Sequence, residues 1–141
     1  MSVTIDVEYQ GELRCVAKHG PSGRTLTTDA PLDNHGRGES FSPTDLLASA
    51  LGACVLTIMG IVAARHQWDL SGATAQVTKE MITAPVRRIG RLPITIRIPT
   101  EQARQLSSAD RVKLEAAAHH CPVHASLHPD IQVDFRFVYD A

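Results

Sequence analysis

Apolar and polar residues alternate from the start of the chain. Val3, Ile5, Val7 and Tyr9 stand against polar neighbours, and Leu13, Cys15 and Ala17 repeat the pattern after Gly11, a period of two that predicts a β-hairpin. Gly20-Pro21-Ser22-Gly23 predicts a turn into a third short strand near Arg24 to Thr28. Residues 29 to 41 hold Pro31, Asp33-Asn34-His35 and Gly36-Arg37-Gly38, and with no sustained period they read as a loop. Ser42-Pro43-Thr44-Asp45 then places an N-cap serine before a proline at the first helical position, with an acid at the third, which starts a helix running to about His66.

That helix decides the architecture. Its apolar residues occupy every face, so it has to be buried all round. The uncharged run is ~28 Å long at ~1.5 Å per residue, comparable with the width of a domain of this size. One small sheet covers one side of it, and a second copy of the same chain is the simplest cover for the other. After Gln67, Ala73, Ala75 and Val77 alternate, then Leu92, Ile94, Ile96 and Ile98, with Pro85 and Gly90 marking the connection. Ser107 with Asp110 caps a further helix through about His120, on which Val112, Ala116 and His120 share a face. Cys121-Pro122 interrupts it. Pro122 suits the first position of a short helix with Cys121 as its N-cap, and Pro129 closes that segment. Ile131, Val133, Phe135 and Phe137 alternate in a last strand. The expected order is βββ-α-ββ-αα-β, an α+β chain with a long buried central helix forming one domain over residues 1–141.

Composition narrows the function. At 141 residues, 43% hydrophobic and 21% charged, the chain has the balance of a folded protein. Its formal charge is −1 with no Lys/Arg cluster, so a nucleic-acid partner is not expected. Three cysteines, Cys15, Cys54 and Cys121, do not make the even framework of a secreted mini-protein. The N-terminus lacks the pattern of a signal peptide, and a reducing, cytoplasmic setting is expected. Leu46 to Ala64 are 19 residues without a charge, close to the ~20 that cross a bilayer. Gly52, Gly60, Ser49 and Thr57 within the run, and the lack of an aromatic belt, favour a core helix and no membrane partner.

Two of the cysteines are candidates for chemistry. Cys54 lies mid-helix, where a small apolar residue also serves as packing. Cys121 lies at a helix start, where unpaired N–H groups and the positive dipole end lower a thiol pKa, and His119, His120 and His124 stand by to add positive charge or accept a proton. Cys15 alternates within a strand and reads as packing. The run His119-His120-Cys121-x-x-His124 also admits a metal reading, to which His128 adds a ligand only through a sharp backbone turn, and no Cys-x-x-Cys supports it. No Gly-rich phosphate loop, G-x-S-x-G or H-E-x-x-H is present.

The chain resembles the OsmC/Ohr family, the osmotically inducible and organic-hydroperoxide-resistance proteins. The resemblance rests on Ser42-Pro43-Thr44-Asp45-Leu46-Leu47 leading through Ala50-Leu51-Gly52-Ala53 to Cys54, and on His120-Cys121-Pro122-Val123, with the order of elements extending it over nearly the whole chain. It implies an intertwined homodimer around the long helix. It also implies a stress-response thiol peroxidase without a bound cofactor or metal. In that role Cys54 attacks the O–O bond of an organic hydroperoxide and becomes a sulfenic acid, Cys121 resolves it as a disulfide, and an external dithiol reduces the disulfide. An apolar helix surface around Cys54 favours bulky organic hydroperoxides over hydrogen peroxide.

The family's best-characterised branch carries an arginine in the first hairpin and a glutamate ten residues before the first cysteine. Here the hairpin reads Tyr9-Gln10-Gly11, and the acid comes one step later, as Asp45; the chain is more similar to the branch with an S-P-x-[DE] motif. Asp45 precedes Cys54 by nine residues, ~13–14 Å along a helix and half a turn out of phase. It therefore caps Ser42, or serves the thiol from the other subunit or through Arg37. Arg37, between two glycines, is the most available cation to favour a thiolate and bind a peroxide oxygen, or else a solvated loop arginine. Cys54, Cys121, Arg37 and Asp45 are the catalytic candidates. The rivals are a non-catalytic protein of the same fold holding a small hydrophobic or thiol ligand at the dimer interface, and a Cys/His metal protein.

Overall fold

The computed structural model describes all residues, Met1–Ala141. They form two compact units, Met1–Leu47 and Ala48–Ala141.

In the first unit, β1 (Ile5–Gly11), β2 (Arg14–His19) and β3 (Thr25–Asp29) form an antiparallel sheet in that order. The β1–β2 turn places Glu12 and Leu13 at φ 54° and 62°, the left-handed pair that a two-residue hairpin turn needs to follow the strand twist. Register sets Val7 opposite Ala17 and Ala17 opposite Leu26. Cys15 faces Tyr9 and Thr28 across its two neighbours, the strand position expected of it. The loop after β3 holds a single 3₁₀ turn, Leu32–Asn34. Gly36 passes so close to the Ala30 carbonyl that a Cβ would overlap it, and Gly38 has φ 62°. Both glycines flanking Arg37 are thus imposed by the backbone path.

The long helix α1 (Pro43–Arg65) starts as predicted. The Asp45 N–H donates to Ser42 Oγ at 3.1 Å and the Ser42 N–H donates to Asp45 Oδ2 at 2.8 Å, a reciprocal capping box. Its C-terminus closes with Gln67 at φ 59° and with Trp68 N–H and Gln67 N–H donating to the Ala63 and Ala64 carbonyls, which satisfies two otherwise orphaned acceptors.

In the second unit β4 (Thr74–Val77), β7 (Ile94–Ile98) and β8 (Phe135–Tyr139) form a sheet in the order β4-β7-β8, antiparallel then parallel. The parallel step demands a crossover, supplied by α2 (Thr100–Arg104), α3 (Ser108–Ala118) and α4 (Pro122–Ser126). Ser107 and Asp110 cap α3 reciprocally. Between β4 and β7 lies a hairpin of β5 (Glu80–Ile82) and β6 (Arg88–Arg91). This hairpin and α2 correct the expected order: the segment from Thr78 to Leu92 is not a plain connection. All three residues of β5 are half-buried, so it carries no alternation for a sequence reading to find.

The core of this unit joins Leu51, Val55 and Met59 of α1 to Leu92, Ile94, Ile96, Ile98 and Leu114, each such burial stabilising by ~1.5–3 kcal/mol. Only one stripe of α1 is buried within the chain: Ala48, Leu51, Gly52, Val55, Met59 and Ala63. Leu47 and Ile61 remain 39% and 45% exposed. The helix is long and apolar enough to cross a membrane by length and composition, yet that stripe is packed into the protein's own core.

Candidate active site

Cys54 is carried by α1 on the flank of the buried stripe, partly exposed and packed against the core. Cys121 is fully buried. It is the N-cap of α4, followed by Pro122 at the first helical position, and its Sγ accepts from the His124 N–H at 3.5 Å. The two residues lie 67 positions apart (121 − 54), and the Cys54 thiol is near enough to help raise the pKa of Cys121. The fold therefore brings together two free thiols that the sequence separates by half the chain.

The expected electrostatics of Cys121 need correction. Its pKa lies above the ordinary thiol value. Burial is the largest cause and the neighbouring Cys54 thiol the next, while the His124 and Val123 N–H groups oppose both only in part. A five-residue helix offers a few oriented N–H groups, whereas full burial removes the thiolate's hydration. Cys121 is held as a protonated thiol.

Three of the histidines near Cys121 are engaged elsewhere, and His120 is exposed. The His119 ring packs on Phe135 at 4.3 Å between centroids, and His124 lies 5.6 Å from the same ring. His128 Nδ1 accepts the Asp130 N–H at 3.0 Å. No group of three His, Cys, Asp or Glu side chains gathers to hold a metal ion, so the metal reading has no ligand set.

Arg37 forms an ion pair with Glu12 of the β1–β2 turn. Asp45 makes the capping contacts with Ser42 described above. A charged cluster near Arg37 escaped the sequence reading. Arg14 opens β2 directly opposite Asp29 and grips its carboxylate with two bonds of 2.7 and 2.8 Å. Asp29 is fully buried and also accepts the Glu39 N–H, while Glu39 bonds Arg14. The first hairpin therefore does carry an arginine, beyond its turn, and the cluster fastens the Arg37 loop to β2. Only the β2–β3 register reveals the pairing.

A cleft of about 280 Å³ lies between the C-terminal half of α1 and the segment that follows it, lined by Leu56, Gly60, Ala63, Trp68 and Leu70 together with the polar Asp69 and Ser71. Trp68 is backed by His66, stacked at 4.4 Å and 15°.

A capped apolar helix presenting one cysteine to a second at the start of a short helix defines a two-thiol α+β protein. Residues 36–136 match the family model for OsmC-like protein, and the chain belongs to the OsmC/Ohr family. It is similar over 97% of its length, at 44% identity and TM-score 0.88, to 96% of a Psychrobacter arcticus protein described as a proposed osmotic stress induced and detoxification response protein. An organic hydroperoxide resistance protein OsmC from Legionella pneumophila aligns over 98% of this chain and 97% of its own at 16% identity and TM-score 0.73. An OsmC-like protein from Mycoplasma pneumoniae aligns over 100% and 99% at 16% identity and TM-score 0.81. The last two share the fold. No curated protein matches the chain.

Proposed function

We propose that the protein is a cytoplasmic thiol-dependent peroxidase that reduces organic hydroperoxides, built as one OsmC-like domain and active as a homodimer. Family membership supports the broader stress-linked redox role. The observation that carries the finer reading is the contact between the Cys54 and Cys121 thiols beside the apolar core. The Cys54 thiolate attacks the distal peroxide oxygen, the O–O bond breaks, and the leaving alkoxide takes a proton as the alcohol. The Cys121 thiol then displaces water from the Cys54 sulfenic acid, giving the disulfide. An external dithiol returns both thiols. The dimer is supported by the exposed apolar side chains of α1 and by Ile5, Val7 and Tyr9 of β1, 57–64% exposed, a pattern that a second copy would cover.

The test is a thiol count before and after one equivalent of an organic hydroperoxide, with alcohol production measured alongside. Loss of two thiols per chain, mapped to Cys54 and Cys121, is expected. Cys54→Ser should abolish peroxide consumption and Cys121→Ser should give one turnover and a trapped sulfenic acid; unchanged turnover in the Cys54 variant ends the proposal. The cleft beside Trp68, mostly apolar in its lining, favours a second reading, a non-catalytic protein holding a small hydrophobic ligand. A protein that binds such a ligand but consumes no hydroperoxide with dithiothreitol as reductant would support it.

A further inference from the structure

Cys121 sits in the turn that joins α3 to α4, and the backbone of that turn does little to hold its sulfur in place. The helix α4 has five residues, too few to be stable by its own hydrogen bonds. Two flanking side chains supply the hold. The ring of His119, the C-cap of α3, lies on Phe135 at 4.3 Å between centroids and 49°, and the ring of His124, within α4, lies on the same phenyl ring at 5.6 Å and 57°. Tilted rings at such spacings pair favourably. Val123 and Leu127 pack α4 on the core and Ala118 packs α3, each on one side of Cys121, whereas Phe135 meets both sides at once. Phe135 is itself fixed, because it opens β8 opposite Ile94 of the central strand β7, and the Ile94 N–H donates to the Asp134 carbonyl at 2.8 Å. Ile94 belongs to the same core as Val55 of α1, the residue that follows Cys54.

We propose that Phe135 is a positioning residue of the cysteine pair: gripped by His119 and His124, it ties the Cys121 turn to the core that carries Cys54 and so sets how readily the two sulfurs join. Its part in turnover rests on the redox reading above, but the joining itself needs only a disulfide reagent. With oxidised dithiothreitol, one protein thiolate attacks the reagent's S–S bond and expels one of its sulfurs. The second protein thiolate then attacks the protein sulfur of that mixed disulfide, and the reagent leaves as the dithiol. Two electrons and two protons pass from the protein to the reagent. The equilibrium of this exchange measures how well the pair is held, because sulfurs already in place lose little freedom on bonding and loose ones have to be ordered first. Access to either sulfur changes the rate of exchange and not its equilibrium. Phe135 acts through the two histidines and is not a reacting group.

The experiment brings the protein to equilibrium in dithiothreitol buffers of graded oxidised-to-reduced ratio, quenches in acid, alkylates under denaturing conditions and measures the Cys54–Cys121 disulfide by peptide mass. Phe135→Leu should lower the equilibrium constant for the disulfide at least about tenfold, a shift of about 30 mV toward easier reduction. His124→Leu removes a ring but keeps the backbone N–H at Cys121 Sγ; it should shift the same way and add little on top of Phe135→Leu, since the two remove one contact. Phe135→Tyr keeps the ring and should stay within about twofold of the parent. Phe137→Leu controls for loss of core volume, because it makes the same truncation in the same strand and leaves Phe135 against both histidines; it too should stay within about twofold. No shift in Phe135→Leu, an equal shift in Phe137→Leu, or full additivity of Phe135→Leu with His124→Leu overturns the proposal, as does failure of the parent to form the disulfide. If Phe135→Leu loses the native circular dichroism, His124→Leu decides, and an unshifted equilibrium there overturns it. A protein that shows these shifts yet consumes no hydroperoxide leaves the proposal standing and ends the peroxidase reading; one that consumes hydroperoxide while its variants stay unshifted does the reverse.

Discussion

Oxidation should stabilise this protein by an amount that the position of its sulfurs fixes. A Cys54–Cys121 bond closes a loop of 67 residues, and the chain-entropy relation for such a loop gives about 15 cal/mol/K removed from the unfolded state, or about 4 kcal/mol at 25 °C. Distortion of the native state subtracts from that figure, and here it should be small because the reduced thiols already lie near enough for Cys54 to raise the Cys121 pKa. At about 3 °C per kcal/mol for a chain of this length, the melting temperature should rise by roughly 12 °C. The assay is thermal unfolding by circular dichroism on reduced and diamide-treated protein at one fixed concentration, since association also shifts melting. Cys54→Ser and Cys121→Ser, treated identically, should show no rise. A shift below about 3 °C, or a fall, in a sample verified as fully joined would mean that bonding forces the backbone to move, and the sulfurs would then not be poised for the cycle.

Other consequences follow from single contacts. Asp29 is held below the usual carboxylate range, first by its bonds to Arg14 and against the opposing effect of burial. Its contribution is therefore present above the ordinary value of 3.8 and fades as pH falls through the lower folded value; melting curves of Asp29→Asn should show lower stability at pH 7 and a flatter loss below pH 3.8, and an unchanged acid limb would contradict this. Tyr139, half-buried and donating to Glu115 at 3.2 Å, has its phenol pushed above the usual value of 10.0 by desolvation and then by the Glu115 charge. The fold favours the neutral phenol, so its contribution is lost as pH rises above 10, and Tyr139→Phe should flatten that alkaline loss in the same measurement. A Cβ at Gly52 would lie 3.1 Å from Val77 Cγ2 and 3.6 Å from Ala75 Cβ. Gly52→Val should overfill that contact and destabilise by about 1–3 kcal/mol in denaturant titration, whereas a stabilised variant would mean that β4 yields freely.

Much of this molecule is written locally. Ser42 with Asp45 and Ser107 with Asp110 announce their helices through side chains three residues apart that bond each other's backbone, and period-two alternation announces β1, β2, β4 and β7. Cys121-Pro122 marks the start of α4 for the same reason. The family motifs around Cys54 and Cys121 are also contiguous strings, which is why the candidate site was legible before any coordinates. The tertiary structure decided what depends on partners remote in the chain. The β5–β6 hairpin owes its strands to pairing and not to a pattern of its own. The Arg14–Asp29 clamp exists only once β2 and β3 are in register. The direction of the Cys121 pKa reversed because burial is a property of the assembled core, and it outweighs the few N–H groups that neighbouring residues bring. The meeting of the sulfurs belongs to the same class: each cysteine's helix is set by its neighbours, but the contact between them is made by the core in which Leu51, Val55 and Met59 pack with Leu92, Ile94 and Leu114.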